Sequence, residues 1–175
     1  MPKRRRQTFC PCLTGILAKV FDVPGEMRRE GRSIDHEFPD AEVLYRRFPK
    51  AHLSPGAKIP IYAVELPDVS VNRSKYGGKM EYVLYDVVHG KYRSEFGVVS
   101  FKAGQIPHPG TISTGTCISI RLKHVPEELN YYHAEIQAHD RNRGHLKAFD
   151  DADERWIAAW RIGMRKILTL VKAPE

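Results

Sequence analysis

Cysteine is scarce in this chain. Three occur among 175 residues, at Cys10, Cys12 and Cys117. Cys10 and Cys12 are too close together for an ordinary disulfide framework, and Cys117 falls in a segment that reads as strand. Cys-Pro-Cys without a second cysteine pair lacks zinc-finger spacing. An odd, sparse set points to a reducing compartment, so a cytoplasmic location is expected. Long apolar runs are also missing. None approaches the ~20 residues of a membrane-spanning helix, and no membrane partner is expected. No glycine-rich nucleotide loop, nucleophile elbow or paired-histidine zinc helix is present, and no cofactor is identified. No internal repeat is visible.

What the chain does have is positive charge. Lys and Arg total 28 against 21 Asp and Glu, a formal net charge of +7. That balance favours acidic partners, either nucleic acid (RNA or DNA) or an acidic protein. Hydrophobic residues make up 42% and charged residues 28%, ordinary values for a globular chain large enough to bury a core. Residues 1–8, with Lys3, Arg4, Arg5 and Arg6, read as a basic flexible tail. Residues 9–175 read as a single domain. The apolar stretch from Phe9 to Phe21 superficially resembles a secretion signal. Pro11 and Lys19 interrupt it and no small-residue cleavage site follows, so it is read as a short helix over about 12–22, ended by Pro24 and Gly25. Residues 26–40 are charged and aperiodic and read as an exposed loop.

The core alternates in type. Strands are expected at 43–48 and 61–66, the latter continuing through 69–73 after a bend at Pro67. Tyr76-Gly77-Gly78 breaks the chain. Met80, Val83, Leu84, Val87 and Val88 then fall at helical spacing, closed by Gly90. Further strands are expected at 96–102, 117–123 and 131–139, the last two as an antiparallel hairpin. Trp156, Trp160, Met164, Ile167 and Val171 recur in steps of four, four, three and four. They predict a helix from about 152 to 172, with Asp151 and Glu154 fitting a variant N-cap signature. The architecture that follows is α+β: a mixed or mainly antiparallel sheet of about five strands. The long C-terminal helix covers one face, and two shorter helices flank it.

Segment 131–139 carries the main candidate site. Tyr132, Ala134, Ile136 and Ala138 share one strand face. His133, Glu135, Gln137 and His139 share the other. Pairing with 117–123 adds Arg121 and Lys123 to the polar side. A catalytic reading assigns Glu135 as general base, His133 as acid or base and Arg121 as anion binder. Zinc is not expected, because His133 and His139 lie about 20 Å apart along an extended strand at ~3.4 Å per residue. The bland alternative is a solvated sheet face with cross-strand ion pairs. A second candidate is a phosphate-contacting surface built from Arg141, Arg143 and Lys147 in the loop before the last helix. Arg161 and Arg165 on that helix continue it. A third groups Ser70 and Asn72, which share a strand face, with Arg46 and Arg47 in a pocket for a phosphate or dinucleotide. The Gly-, Pro-, Ser- and Thr-rich stretch 103–116 can act as a lid or be a plain surface loop.

Two resemblances bear on these residues. An arginine on an early strand followed by a serine-bearing strand resembles the ADP-ribosyltransferases, although a catalytic glutamate in that family's context is not found. Leu44-Tyr45-Arg46-Arg47, Val69-Ser70-Val71-Asn72-Arg73-Ser74 and Tyr132-His133-Ala134-Glu135-Ile136 together resemble a family of small bacterial proteins to which no activity is attached. That resemblance spans 43–137 and implies a bacterial or phage origin, but no catalytic role. Three functions are therefore carried forward. The first is a small basic nucleic-acid-binding or accessory protein of a larger assembly. The second is an enzyme acting on a phosphate-containing substrate, such as a toxin or nuclease-like hydrolase, centred on His133 and Glu135. The third is a protein-interaction module without chemistry.

Overall fold

The structure is a computed structural model that describes residues 23–53, 63–109, 117–150 and 153–175. In chain order its elements are β1 (Val43–Pro49), β2 (Asp68–Arg73), β3 (Tyr85–Asp86), β4 (Lys91–Tyr92), β5 (Phe96–Lys102), β6 (Ile118–His124), β7 (His133–Asp140), β8 (Gly144–His145), α1 (Glu154–Ile167) and β9 (Thr169–Lys172). Seven strands form one sheet in the order β6-β7-β2-β1-β5-β9, with β8 added beside β7. Every pairing in it is antiparallel. A separate two-stranded hairpin joins β3 to β4. No helix among the described residues is long and apolar enough to cross a membrane.

Alternation along the strands builds the core as the sequence pattern requires. Leu44, Val69, Val71, Val99, Phe101, Ile118, Ile120, Ala134, Ile136 and Ala138 form one apolar cluster with Trp156, Trp160, Met164 and Leu168. Small residues on the central β7 leave room for the large ones of α1, which is how close packing without voids is reached. The two indoles stack with centroids 6.1 Å apart, and Trp160 Nε1 donates to the Val64 carbonyl at 3.2 Å. His133, Glu135, Gln137 and His139 point to the opposite face, as expected.

Several elements differ from the sequence expectation. The C-terminal helix stops at Ile167, and Leu168 turns the chain into an extended conformation (ψ 132°). Thr169, Leu170 and Val171 are apolar or β-branched, and they gain more by pairing with β5 as an edge strand than by another helical turn. Val171 consequently leaves the tryptophan stripe and is exposed. Met80–Leu84 forms one 3-10 turn rather than a central helix, and β3 follows at once. Tyr82, Val83, Leu84 and Tyr85 are buried in unbroken succession, a run that a one-sided amphipathic helix does not accommodate. Ala63, Val64 and Leu66 are buried but not strand, and the strand after Pro67 stands alone as β2. Strand β7 begins two residues later than the alternation suggests. The expected helix over 12–22, the basic tail and Asp151 lie outside the described residues.

Residues 26–40 lack regular structure beyond the short turn Gly25–Met27, yet they are held down. Val23 and Met27 are buried against Tyr82, Tyr85, Tyr131 and Tyr132. Arg73, at the end of β2, is 2% exposed and pairs through two bonds with Glu42, Nε to Oε1 at 2.8 Å and Nη2 to Oε2 at 2.9 Å. Its remaining donors reach the main-chain carbonyls of Asp35 and Glu37, and its guanidinium lies 3.9 Å from the Phe38 ring centroid. The Asp35 main-chain N–H donates to His124 Nδ1 at 3.0 Å, and His124 Nε2–H donates to the Tyr131 carbonyl. His124 is therefore neutral, and burial pushes its pKa down. The Asp35 carboxylate accepts from Lys75 at 2.8 Å and from Tyr76 at 3.1 Å. The Lys75 bond, the largest cause, holds Asp35 well below the usual carboxylate range.

Two expectations follow. Arg73→Met leaves Glu42 buried without its partner, and urea unfolding should register a loss of about 3–5 kcal/mol. The pH dependence has two limbs of the same sign. His124 binds a proton more readily when unfolded, so its contribution is present above about pH 6.5 and declines as pH falls below that value. Asp35 also binds its proton more readily when unfolded, so its contribution is present above about pH 4 and is lost on further acidification. Unfolding curves taken from pH 8 to 3 should lose the first limb in His124→Asn and the second in Asp35→Asn.

Candidate functional site

The face opposite the tryptophans carries polar side chains in cross-strand rows. Tyr45, Asn72 and His133 are neighbours in one row. Ser70, Glu135 and Lys123 form the next, and Asp68, Gln137 and Arg121 the one beyond. Past these, His139 lies between Ser119 and His145.

A cleft opens at the first of these rows. β1 and β2 pair only at Leu44–Arg73 and Tyr45–Asn72, so beyond Tyr45 the two strands part. Arg46 crosses the gap, its Nη1 donating to the Ser70 carbonyl at 2.8 Å and its Nε to the Ala63 carbonyl at 3.2 Å. The first bond satisfies a main-chain oxygen of β2 where its ladder to β1 is interrupted, and the second ties in the segment before β2. The resulting concavity of about 250 Å³ is lined by Arg46, Arg47, Ser70, Val71 and Asn72 from the sheet. Tyr82, Val83, Tyr85, Asp86, Val87 and Val88 form one wall, and Glu127, Asn130 and His133 form the other.

The electrostatics of the cleft are uneven. No carboxylate pairs with Arg46 or Arg47 among the described residues. Burial and then the charge of Arg47 push the Arg46 pKa down, the mark of a cation lacking a counter-charge. Asp86 does not supply one. Burial raises its pKa, but bonds from His89, Arg93 and the Val88 and His89 amides outweigh that and bring it to about 2. It is ionised and saturated by its own hairpin.

His133 Nδ1 lies 2.9 Å from the Val125 carbonyl, which can only accept, so Nδ1 carries the proton. In the neutral ring Nε2 is then bare. Asn130 Nδ2 donates to Asn72 Oδ1 at 3.0 Å, leaving Asn72 Nδ2 and Asn130 Oδ1 buried with no partner.

The expected catalytic set is brought onto one face but not into one cleft. His133 lines it. Glu135 lies in the next row and accepts from Gln137 Nε2. Arg121 stands opposite Gln137, one row further on, and is exposed. Along this face Gln137 Oε1 meets His139 Nε2 at 3.3 Å, and the His139 and His145 rings stack at 4.9 Å. Burial, followed by the charges of Arg121 and His145, lowers the His139 pKa. His145 and Lys147 both bond to Asp68, at 2.6 and 3.0 Å. Burial raises the Asp68 pKa, but those two bonds outweigh it and the net shift is down. No cluster of three or more His, Cys, Asp or Glu side chains suited to a metal occurs among the described residues.

The residues expected to contact phosphate are largely occupied. Arg143 pairs with Asp150 and Asp153, each at 2.8 Å, and approaches Asp140 at 3.6 Å. Lys147 is held by Asp68 and Arg161 by Glu65. Arg141 and Arg165 remain exposed. The sheet side of the cleft, Arg46, Arg47, Ser70 and Asn72, coincides with the pocket expected from the sequence. Asn130 and the 82–88 wall do not, because 80–88 reads as a helix and 125–130 as a plain connection. Comparisons with protein-family models, with curated proteins and with solved structures return no match for this chain.

Proposed function

We propose that the protein is an enzyme that hydrolyses a small phosphate ester in the cleft between β1 and β2. The observation that carries this reading is a cleft lined by two arginines without carboxylate partners among the described residues and by a histidine with a bare Nε2. A partly buried cation at the bottom of a cleft is stabilised by an anion, and guanidinium geometry suits phosphate oxygens. Arg46 and Arg47 hold the phosphate and offset the charge that builds on its oxygens. His133 Nε2 takes a proton from water as the water oxygen bonds to phosphorus. The P–O bond to the leaving group breaks, its electron pair stays on the leaving oxygen, and solvent protonates that oxygen. Val125 fixes the tautomer, and Ser70 and Asn72 orient the substrate.

Isothermal titration with inorganic phosphate and an aryl phosphate hydrolysis assay test this reading. Arg47→Ala should weaken phosphate binding about tenfold or more, the size of one charge-assisted bond. His133→Gln should keep binding and lower turnover by about 10²–10⁴. Binding that is unchanged in Arg47→Ala removes the reading.

A second reading is favoured by a separate observation. Arg121 and Lys123 are exposed on the same face as the stacked His139–His145 rings. Basic side chains beside flat rings suit a single-stranded nucleic acid, and the net charge of +7 agrees with that partner. Anisotropy of a labelled oligonucleotide should then show affinity falling steeply with salt. Arg121→Ser should reduce the slope of log K against log salt by about one. A flat salt response excludes it.

A further inference from the structure

We infer that the ligand of the cleft is a nucleoside monophosphate, with its phosphate at Arg46 and Arg47 and the edge of its base on the Asn72–Asn130 pair. This inference rests on the reading of the cleft as a phosphate site. Its own support is the pair of side-chain amides.

The two amides share one hydrogen bond and leave one donor and one acceptor over. Rotating both amides by 180° still leaves one donor and one acceptor unsatisfied, with their places exchanged. Asn72 is 4% exposed, so water does not solvate its spare donor. Buried polar groups in folded proteins nearly always find partners, and one left over at a cleft wall calls for a ligand group. A donor beside an acceptor matches the hydrogen-bonding edge of a nucleobase, where a ring N–H or amino group neighbours a carbonyl or ring nitrogen.

Charge and size select the rest of the ligand. Two guanidinium groups balance one phosphate monoester, which carries about −1.5 to −2 at neutral pH. The ionised Asp86 on the wall disfavours further phosphates. At about 250 Å³ the cleft lies just under the roughly 300 Å³ at which pockets for drug-sized ligands begin. A mononucleotide suits that space, and a dinucleotide would overhang it. The apolar stretch of Val83, Val87 and Val88 gives the base a surface to lie against.

The test is isothermal titration of the full chain with UMP, AMP, ribose 5-phosphate and inorganic phosphate. At least one of the two nucleotides should bind about tenfold more tightly than ribose 5-phosphate. Asn130→Ala should erase that advantage and leave ribose 5-phosphate affinity unchanged. Should Asn130→Ala fail to fold, Asn130→Asp preserves shape, consumes the spare Asn72 donor and should remove the advantage equally. Equal affinities for ribose 5-phosphate and both nucleotides would overturn the nucleotide assignment while leaving the phosphate reading intact. Absence of binding by all four compounds would overturn both.

Discussion

Arg73 is the residue on which the arrangement of this molecule turns. A guanidinium at 2% exposure is sustained only when its charge and its donors are all answered. Here Glu42 supplies the charge, two main-chain carbonyls take further donors, and Phe38 covers the flat face. Each of these partners lies in the irregular segment before β1. Burying Arg73 at the end of β2 therefore orders a stretch that lacks a ladder or helix of its own. Hydrophobic contact alone fixes no register, whereas four directed hydrogen bonds do. The same corner requires close backbone approach. A Cβ at Gly78 would lie 1.9 Å from the Arg73 carbonyl oxygen, so only glycine fits there.

The two faces of the sheet divide the work. One is closed by α1 through Trp156 and Trp160. The other keeps its polar rows, partly covered at one end by the 82–85 turn, where Tyr82 stacks on Tyr132. The cleft lies where coverage and strand separation coincide. Its cations and Asn72 come from strands, Asn130 from the connection before β7, and its apolar wall from the 82–88 segment. Rigid strands hold the groups that need fixed geometry, while the turn supplies shape.

Strand-period information was well expressed in the residues. Alternation in 118–124 and 133–139 placed the hairpin and assigned each side chain to its face. The spacing of Trp156, Trp160 and Met164 placed the helix. Helical spacing misled at 80–88, because tertiary burial of four consecutive residues overrides a periodic pattern. It misled again past Ile167, where pairing with a distant strand decides the outcome. Of the candidate site, Arg46, Arg47, Ser70, Asn72 and His133 were visible as residues of the right type on adjoining strands. Their convergence was not, since it depends on where β1 and β2 separate. The basic loop read well as a charge cluster. Its neutralisation did not, because Asp153 and Asp68 reach Arg143 and Lys147 only through the fold.

The interrupted ladder between β1 and β2 has an evolutionary consequence. Arg46 closes the breach in the sheet and also contributes the positive charge beneath it. On the proposed reading of the cleft, selection for a folded chain and selection for recognition act on one side chain. Substitutions at this position would then surface in genetic screens as poor abundance, and the accompanying loss of recognition would go unseen. Drift in ligand preference would be channelled instead to Arg47, Asn130 and the valine wall, whose changes leave the sheet joined.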